Sequence, residues 1–421
     1  MSSISYSLKT RLRAIMSKSP IYTRAKHQLE QPFDEQRLQQ IVQHAIKNVP
    51  FYRDYPRFWL DNGRFDDLPI LHKKDIIGRE RQLVDQRIPS WILRKGETGG
   101  TSGISLTLYN TPMSQIRRFA MADSAMNEIG TNLRMATLRG FLPANNQIAQ
   151  VVDNNHILLS SYRITHDTIN QYISVMQQQR IECLHAYPSA LLTLCKYLEQ
   201  TGKQIHFPHL KGILTSSEVF SADIRQLARR VFPEAKLVDY FGQSEAYCAA
   251  YAVNDQPYHF NQNFGYTEFI DTGQTTPNGN RIAEIVATNI LCDTMQFIRM
   301  ATDDFVELDQ NNQVVSIIGR EADFLIDRHN APIACIILIS DEAFKNVSGF
   351  QFHQPKPGQL VFHVVTNQHF NEAQRQLLIH ELSQTFVSID CDVEVVDEIP
   401  KTAAGKQKRV LHDFDIKPYL K

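Results

Sequence analysis

The sequence predicts an α/β protein: a large domain with a mostly parallel sheet covered by helices, then a small α+β domain. Three observations predict it. Between 205 and 245 a β-type run (210–214), a helical pattern (222–232) and a second β-type run (236–240) follow one another. From about 90 to 320, short β-type runs alternate with helical patterns throughout. After about 323 the texture changes to a β-α-β piece: 360–365, 372–386 and 392–396. Strand–helix–strand units of this length make neighbouring strands parallel and bury the sheet under the crossover helices.

Each element has a local cause. In the helix expected over 35–52, Leu38, Ile41, Val42 and Ala45 keep helical spacing and Pro50 stops it. Ser221 is the expected N-cap of 222–232, which ends before Pro233. A further helix, 189–200, starts at Ser189 and stops at Gly202, with Leu191, Leu194, Cys195 and Leu198 on its inner side. Asn371 with Gln374 has the spacing of a capping box for the helix 372–386. The domain boundary is expected between 1–322 and 323–421.

Composition bounds the function. A chain of 421 residues with 43% hydrophobic and 21% charged residues builds a sizeable core, which excludes wholesale disorder. Forty-four Lys and Arg against 45 Asp and Glu give a net charge of −1, so no global field points to nucleic acid. The longest apolar stretches, such as 333–339, are too short to span a bilayer, and stable membrane insertion is not expected. The six cysteines have no C-x-x-C spacing, as in a reduced cytoplasmic protein without a disulfide framework or structural zinc. Residues 1–27 hold six basic residues and no acid, with Leu8, Leu12, Ile15 and Met16 on one helical face. They read as a solvated surface helix or as a segment for a membrane surface or acidic partner.

Three segments have the residue types that chemistry needs. Thr98, Gly99, Gly100, Thr101, Ser102 and Gly103 combine glycines, which permit close backbone approach, with hydroxyls that can converge on an anion. Taken alone, the stretch is equally a flexible turn. Asp239, Tyr240, Phe241, Gly242, Gln243, Ser244 and Glu245 fall at the carboxyl end of an expected strand, where α/β sheets collect ligands. There an aromatic ring can stack on a heterocycle and a carboxylate can hold Mg²⁺. The same stretch is otherwise a strand end with a surface Glu, or a loose match to a nucleophile elbow centred on Ser244. Finally, 400–409 is a small-residue loop that delivers Lys406, or else a solvated basic tail. His206 and His209 read as a surface turn rather than a metal pair, and Asp303-Asp304 and Gly319-Arg320 as loop charges.

In this order the segments resemble the adenylate-forming superfamily of acyl and aryl coenzyme A ligases, and within it the phenylacetate–coenzyme A ligase and capsule-biosynthesis branch. The resemblance runs from Val49–Tyr52 and Asp67–Asp75 through Thr98–Gly103, Tyr187–Ser189, Leu214–Glu218, Asp239–Glu245, Arg299–Asp304 and Gly319–Asp323 to Pro400–Lys406. It implies a large N-terminal domain of mixed sheets and a mobile C-terminal domain. Thr98 to Gly103 would cradle the phosphates of ATP, and Ser217 and Glu218 would border adenine and ribose. Phe241, where the family usually has Tyr, would stack on adenine; Glu245 would bind Mg²⁺. Asp304 and Arg320 would hold the ribose hydroxyls, Asp323 would sit at the hinge, and Lys406 would reach the reacting carboxylate and α-phosphate. Phe141, His185, Tyr187 and Ser216 are the candidates for the acid pocket.

The implied reaction activates a small aryl or hydrophobic carboxylic acid with ATP. The acyl group then passes to the thiol of coenzyme A or of a carrier-protein phosphopantetheine. Two alternatives stay open: transfer to an amine or hydroxyl in polysaccharide or secondary-metabolite synthesis, and a nucleotide-binding protein without turnover. Four departures stand out. Ile104-Ser105 follow the phosphate loop, and Arg328–Ile333 lack the usual glycine. Asp303 replaces a glycine, which should crowd that turn. Asn254 occupies a position where relatives with a structural zinc have cysteine, although His259 is present, so no zinc is expected.

Overall fold

A computed structural model of the chain describes residues 16–53, 65–97, 106–140, 147–202, 205–276, 278–292, 294–320, 324–335, 339–400 and 407–419. It divides into two compact units. One comprises Met1–Glu128, Tyr240–Gln274 and Ile282–Val315, the other Ile129–Asp239, Thr275–Arg281 and Ser316–Lys421.

In the first unit the helix Glu35–Asn48 buries Leu38, Val42, Ala45 and Ile46. It gives way to a 3₁₀ turn at Pro50–Tyr52, where proline can start a turn but not continue a helix. Helix Pro20–Glu30 and helix Pro112–Asn127 contribute Ala25, Leu29, Ala120 and Met121 to a core shared with Ala246, Ala249, Phe264 and Leu291. Strands Gly265–Thr275, Arg281–Asn289 and Met300–Leu308 neighbour one another in that order. Asp303 and Asp304 therefore lie inside a strand, not in a loop as their charge alone suggests.

The second unit contains the parallel sheet. Met135–Arg139 runs parallel to His156–Ser160 on one side and to Cys183–Ala186 on the other, and Cys183–Ala186 parallel to Gly212–Ser216. The β-type run expected at 210–214 is displaced by two residues, to Gly212–Ser216, with Lys211 still bonded through its backbone to Glu182 and Lys236. The flanking helices Pro188–Gln200 and Ala222–Val231 match expectation to within a residue. Ser221 takes the extended N-cap conformation, but its hydroxyl makes no capping bond. The C-terminal piece of this unit forms a sheet in the order Asp390–Val395, Gln359–Thr366, Val347–Gln354, Val410–His412. Helix Glu372–Thr385 joins the two parallel strands at its edge, and Asn371 caps that helix by accepting from Gln374 N–H at 3.1 Å. The phenylalanines of this sheet, Phe350, Phe352 and Phe362, share one apolar cluster with Leu191, Leu194 and Leu198. Buried Lys196 adds a polar tie, donating to the carbonyl of Phe344 at 2.9 Å.

Candidate active site

Strand Lys236–Gly242 delivers the aromatic motif. Phe241 is half-buried and packs against Phe260 with ring centroids 6.0 Å apart. Gly242 lies close under the Tyr240 ring: a Cβ there would sit 2.8 Å from it, so a larger residue would push the ring aside. In the next turn Gln243 Nε2 donates to Asp304 Oδ2 at 2.9 Å, across 61 residues of sequence. Asp304 is buried, and its own N–H donates to Thr302 Oγ1 at 3.0 Å. The fully buried phenol of Tyr247 is pushed well above its ordinary pKa by desolvation first, then by the carboxylates of Glu245, Asp303 and Asp304. One buried group thus feels all three acids. The first unit therefore brings the 240–245 motif and the 303–304 pair together.

The donor set suits a hard cation. Glu245 shares a narrow cleft with Asn110, Ser244 and Thr294, all of which offer oxygen. Gln243 Oε1 and Tyr247 Oη are buried with no hydrogen-bond partner among the described residues. Ser244 is exposed, and no described histidine hydrogen-bonds to it, so a nucleophile elbow lacks its base.

The expected crowding at Asp303 takes the form of a left-handed backbone, φ +59°. Aspartate tolerates this region better than most residues, though less well than glycine. In return it gains a partner: Lys73, 7% exposed, lies with Nζ 2.8 Å from Asp303 Oδ2. Arg299, also at positive φ (+46°), makes the second anchor. Its Nη1 donates to the carbonyls of Asp66 and Leu68, and its Nη2 pairs with Glu268 at 2.8 Å. Leu71 N–H donates to the Arg299 carbonyl, and Ala301 N–H to the Leu71 carbonyl. The Asp67–Asp75 and Arg299–Asp304 segments, far apart in sequence, form one structure. His72, Glu284 and Asp303 bring ligand atoms within 4.8 Å of one another, but the Lys73 ammonium already supplies the positive charge at Asp303.

The second unit assembles its polar groups by register. Leu138 pairs with Ala186 and Ala186 with Thr215, which makes Arg139, Tyr187 and Ser216 the next row at the carboxyl ends of three parallel strands. Side chains two apart share a face, so His185 joins them. Arg139 Nη2 lies 2.6 Å from His185 Nε2 and 3.4 Å from Ser216 Oγ, and His185 Nε2 lies 3.2 Å from Ser216 Oγ. Ser217 follows at φ +74° and turns the chain toward Glu218. One oxygen of Glu218 accepts from Ser189 N–H at 2.9 Å, in the first turn of the Pro188–Gln200 helix, where a carboxylate complements the helix dipole. The other accepts from Gln407 N–H at 3.0 Å. Asp239 is buried and accepts from Thr215 Oγ1 at 2.6 Å, so its carboxylate is committed inside the sheet.

Thr98–Gly103, Phe141, Asp323 and Lys406 lie outside the described residues. Arg320 ends the strand Val314–Arg320, and its side chain lies outside the description. Sequence reasoning missed Lys73, Arg139 and Tyr247. Lys73 is one of two adjacent lysines with nothing to mark it, and Arg139 closes a run of ordinary strand residues. Only the register of neighbouring strands reveals what Arg139 faces.

The fold defined by these sheets is that of the adenylate-forming ligases. A 2-hydroxyisobutyryl-CoA ligase in the postadenylation state, in complex with R3-HIB-AMP, superposes with a TM-score of 0.64 at 15% identity, covering 90% of this chain and 88% of that one. The same ligase in complex with 2-HIB-AMP and CoA in the thioesterification state gives 0.51 at 16% identity, over 94% and 91%. The anthranilate CoA ligase AuaEII in complex with anthranoyl-AMP gives 0.50 at 13% identity, over 74% and 64%. No curated protein matches the sequence. More particularly, residues 333–413 match the model of the CapK C-terminal domain, as the resemblance to the capsule-biosynthesis branch implies. Among the described residues no helix is long and apolar enough to cross a membrane.

Proposed function

We propose that the protein activates a small carboxylic acid with ATP as an acyl-adenylate and passes the acyl group to a thiol. Coenzyme A or a carrier-protein phosphopantetheine is the acceptor. Carboxylate attack on the α-phosphate brings two anions together, so catalysis needs positioning and positive charge more than covalent help from the protein. Thr98–Gly103 cradle the phosphates, Phe241 stacks on adenine, and Asp304 with Arg320 holds the ribose. Gln243 keeps the Asp304 carboxylate pointed. Glu245 and the oxygen groups of its cleft hold Mg²⁺, which supplies charge neutralisation at the phosphates. Lys406 belongs to a small domain that begins near 323 and brings its ammonium to the reacting oxygens.

The observation that supports this reading most directly is the Glu218–Gln407 bond of 3.0 Å, which ties the residue after Lys406 to the Ser217-Glu218 motif 189 positions away. The solved ligases with acyl-AMP and CoA in their sites support the order of events. The test is acid-dependent ATP–pyrophosphate exchange. Lys406→Ala should lower it by about a hundredfold or more, on the scale of a lost electrostatic stabiliser, while nucleotide binding persists. Near-wild-type exchange in the variant removes Lys406 from the mechanism.

A further inference from the structure

Arg139 is the odd member of the acid pocket. A guanidinium has only donors, so His185 Nε2 must accept from it at 2.6 Å, which leaves the ring neutral with its proton on Nδ1. Its other partner, Ser216, is a neutral hydroxyl. The ring of Tyr187 lies under the guanidinium, 4.9 Å from its central carbon. Among the described residues Arg139 makes no ion pair, and its Nε is buried without any hydrogen-bond partner. A half-buried cation held in place by three neutral groups keeps its charge and most of its donors for something else. It sits at the carboxyl ends of parallel strands, where α/β sheets bind ligands.

We propose that Arg139 is a specificity-determining residue and that the activated acid carries a second carboxylate, which pairs with this guanidinium. The acid is therefore a small dicarboxylate, not a purely hydrophobic or aryl monoacid. His185 and Ser216 act as positioning residues that fix the fork, and Tyr187 covers its face. The inference rests on the acid-activating function proposed above and sharpens its substrate.

The experiment is pyrophosphate release by the full-length protein with ATP and Mg²⁺. The substrates are matched pairs: a short aliphatic or aryl dicarboxylic acid and its monomethyl ester, which has the same frame and one carboxylate. The wild-type protein should favour the diacid about tenfold to a hundredfold in kcat/KM, the usual worth of a charge-assisted hydrogen bond in a desolvated site. Arg139→Gln should erase the preference mainly through KM, and Arg139→Lys should restore part of it. Equal or better use of the ester by wild type overturns the proposal without any variant, as does a preference that survives in Arg139→Gln. Release with monoacids alone would leave acid activation standing and remove only the dicarboxylate. Release with no acid at all would remove both.

Discussion

Two regions of the molecule present polar groups by opposite means. Around Asp303 in the first unit, the groups are carried on strained backbone: Arg299, Asp303 and Ala246 all have positive φ. Buried ion pairs, Lys73–Asp303 and Arg299–Glu268, hold that strain in place. Around Ser216 in the second unit, regular parallel strands set Arg139, His185, Tyr187 and Ser216 on one face with almost no strain before the turn at Ser217. Conformation that must be maintained needs compensating charge close by, whereas register does not. The first region should therefore be costly to alter, and the second tolerant in stability while sensitive in recognition.

The largest effect falls on Asp303. Asp303→Ala removes the partner of a buried lysine and puts a residue that disfavours φ +59° there, so a loss of about 2–4 kcal/mol is expected. Asp303→Asn tolerates the same backbone and should lose about half as much. Chemical denaturation of the two variants separates strain from charge; equal losses would show that the backbone conformation costs nothing.

A smaller effect is expected in the register-built region. Ser216→Ala removes a hydroxyl shared by Arg139 and His185 but strains nothing, so about 1 kcal/mol is expected in the same assay. A loss as large as that of Asp303→Ala would break the contrast.

The smallest effect is with pH, and it belongs to the second unit. Desolvation first lowers the pKa of His412, whose Nε2 donates to the Phe324 carbonyl at 2.9 Å, and likewise that of His363, beside His353. The unfolded chain takes up these protons first as pH falls below about 6.5. The histidines' contribution is then full above that pH and is lost as pH drops toward their folded values. The melting temperature should fall by a few degrees between pH 7.5 and 5.5. Hydrogen exchange should locate the loosening in strands Gln359–Thr366 and Val410–His412, and His412→Gln should reduce the slope. Loosening confined to the first unit would contradict the assignment.

Much of the fold was legible because its causes are local. Pro50, Gly202, Pro233 and Asn371 act on their own neighbours, and apolar spacing marks the helix faces regardless of what packs on them. The candidate motifs stood out in the sequence as well, because glycines and clustered hydroxyls depart from ordinary strand and helix composition, although Thr98–Gly103 lies outside the described residues. Asp303 was visible as an anomaly, and its expected crowding became a left-handed residue. Its compensation by Lys73 was not visible, since nothing local distinguishes Lys73 from Lys74.

The sequence by itself determined the class of fold, the helix ends and the order of the motifs, all of which depend on interactions within a few residues. Only the tertiary structure decided that Gln243 meets Asp304, that Glu218 meets Gln407, and that Arg139 meets His185 and Ser216 with no ion pair among the described residues. Those meetings depend on strand order and register, and a shift of one residue would turn every side chain to the opposite face.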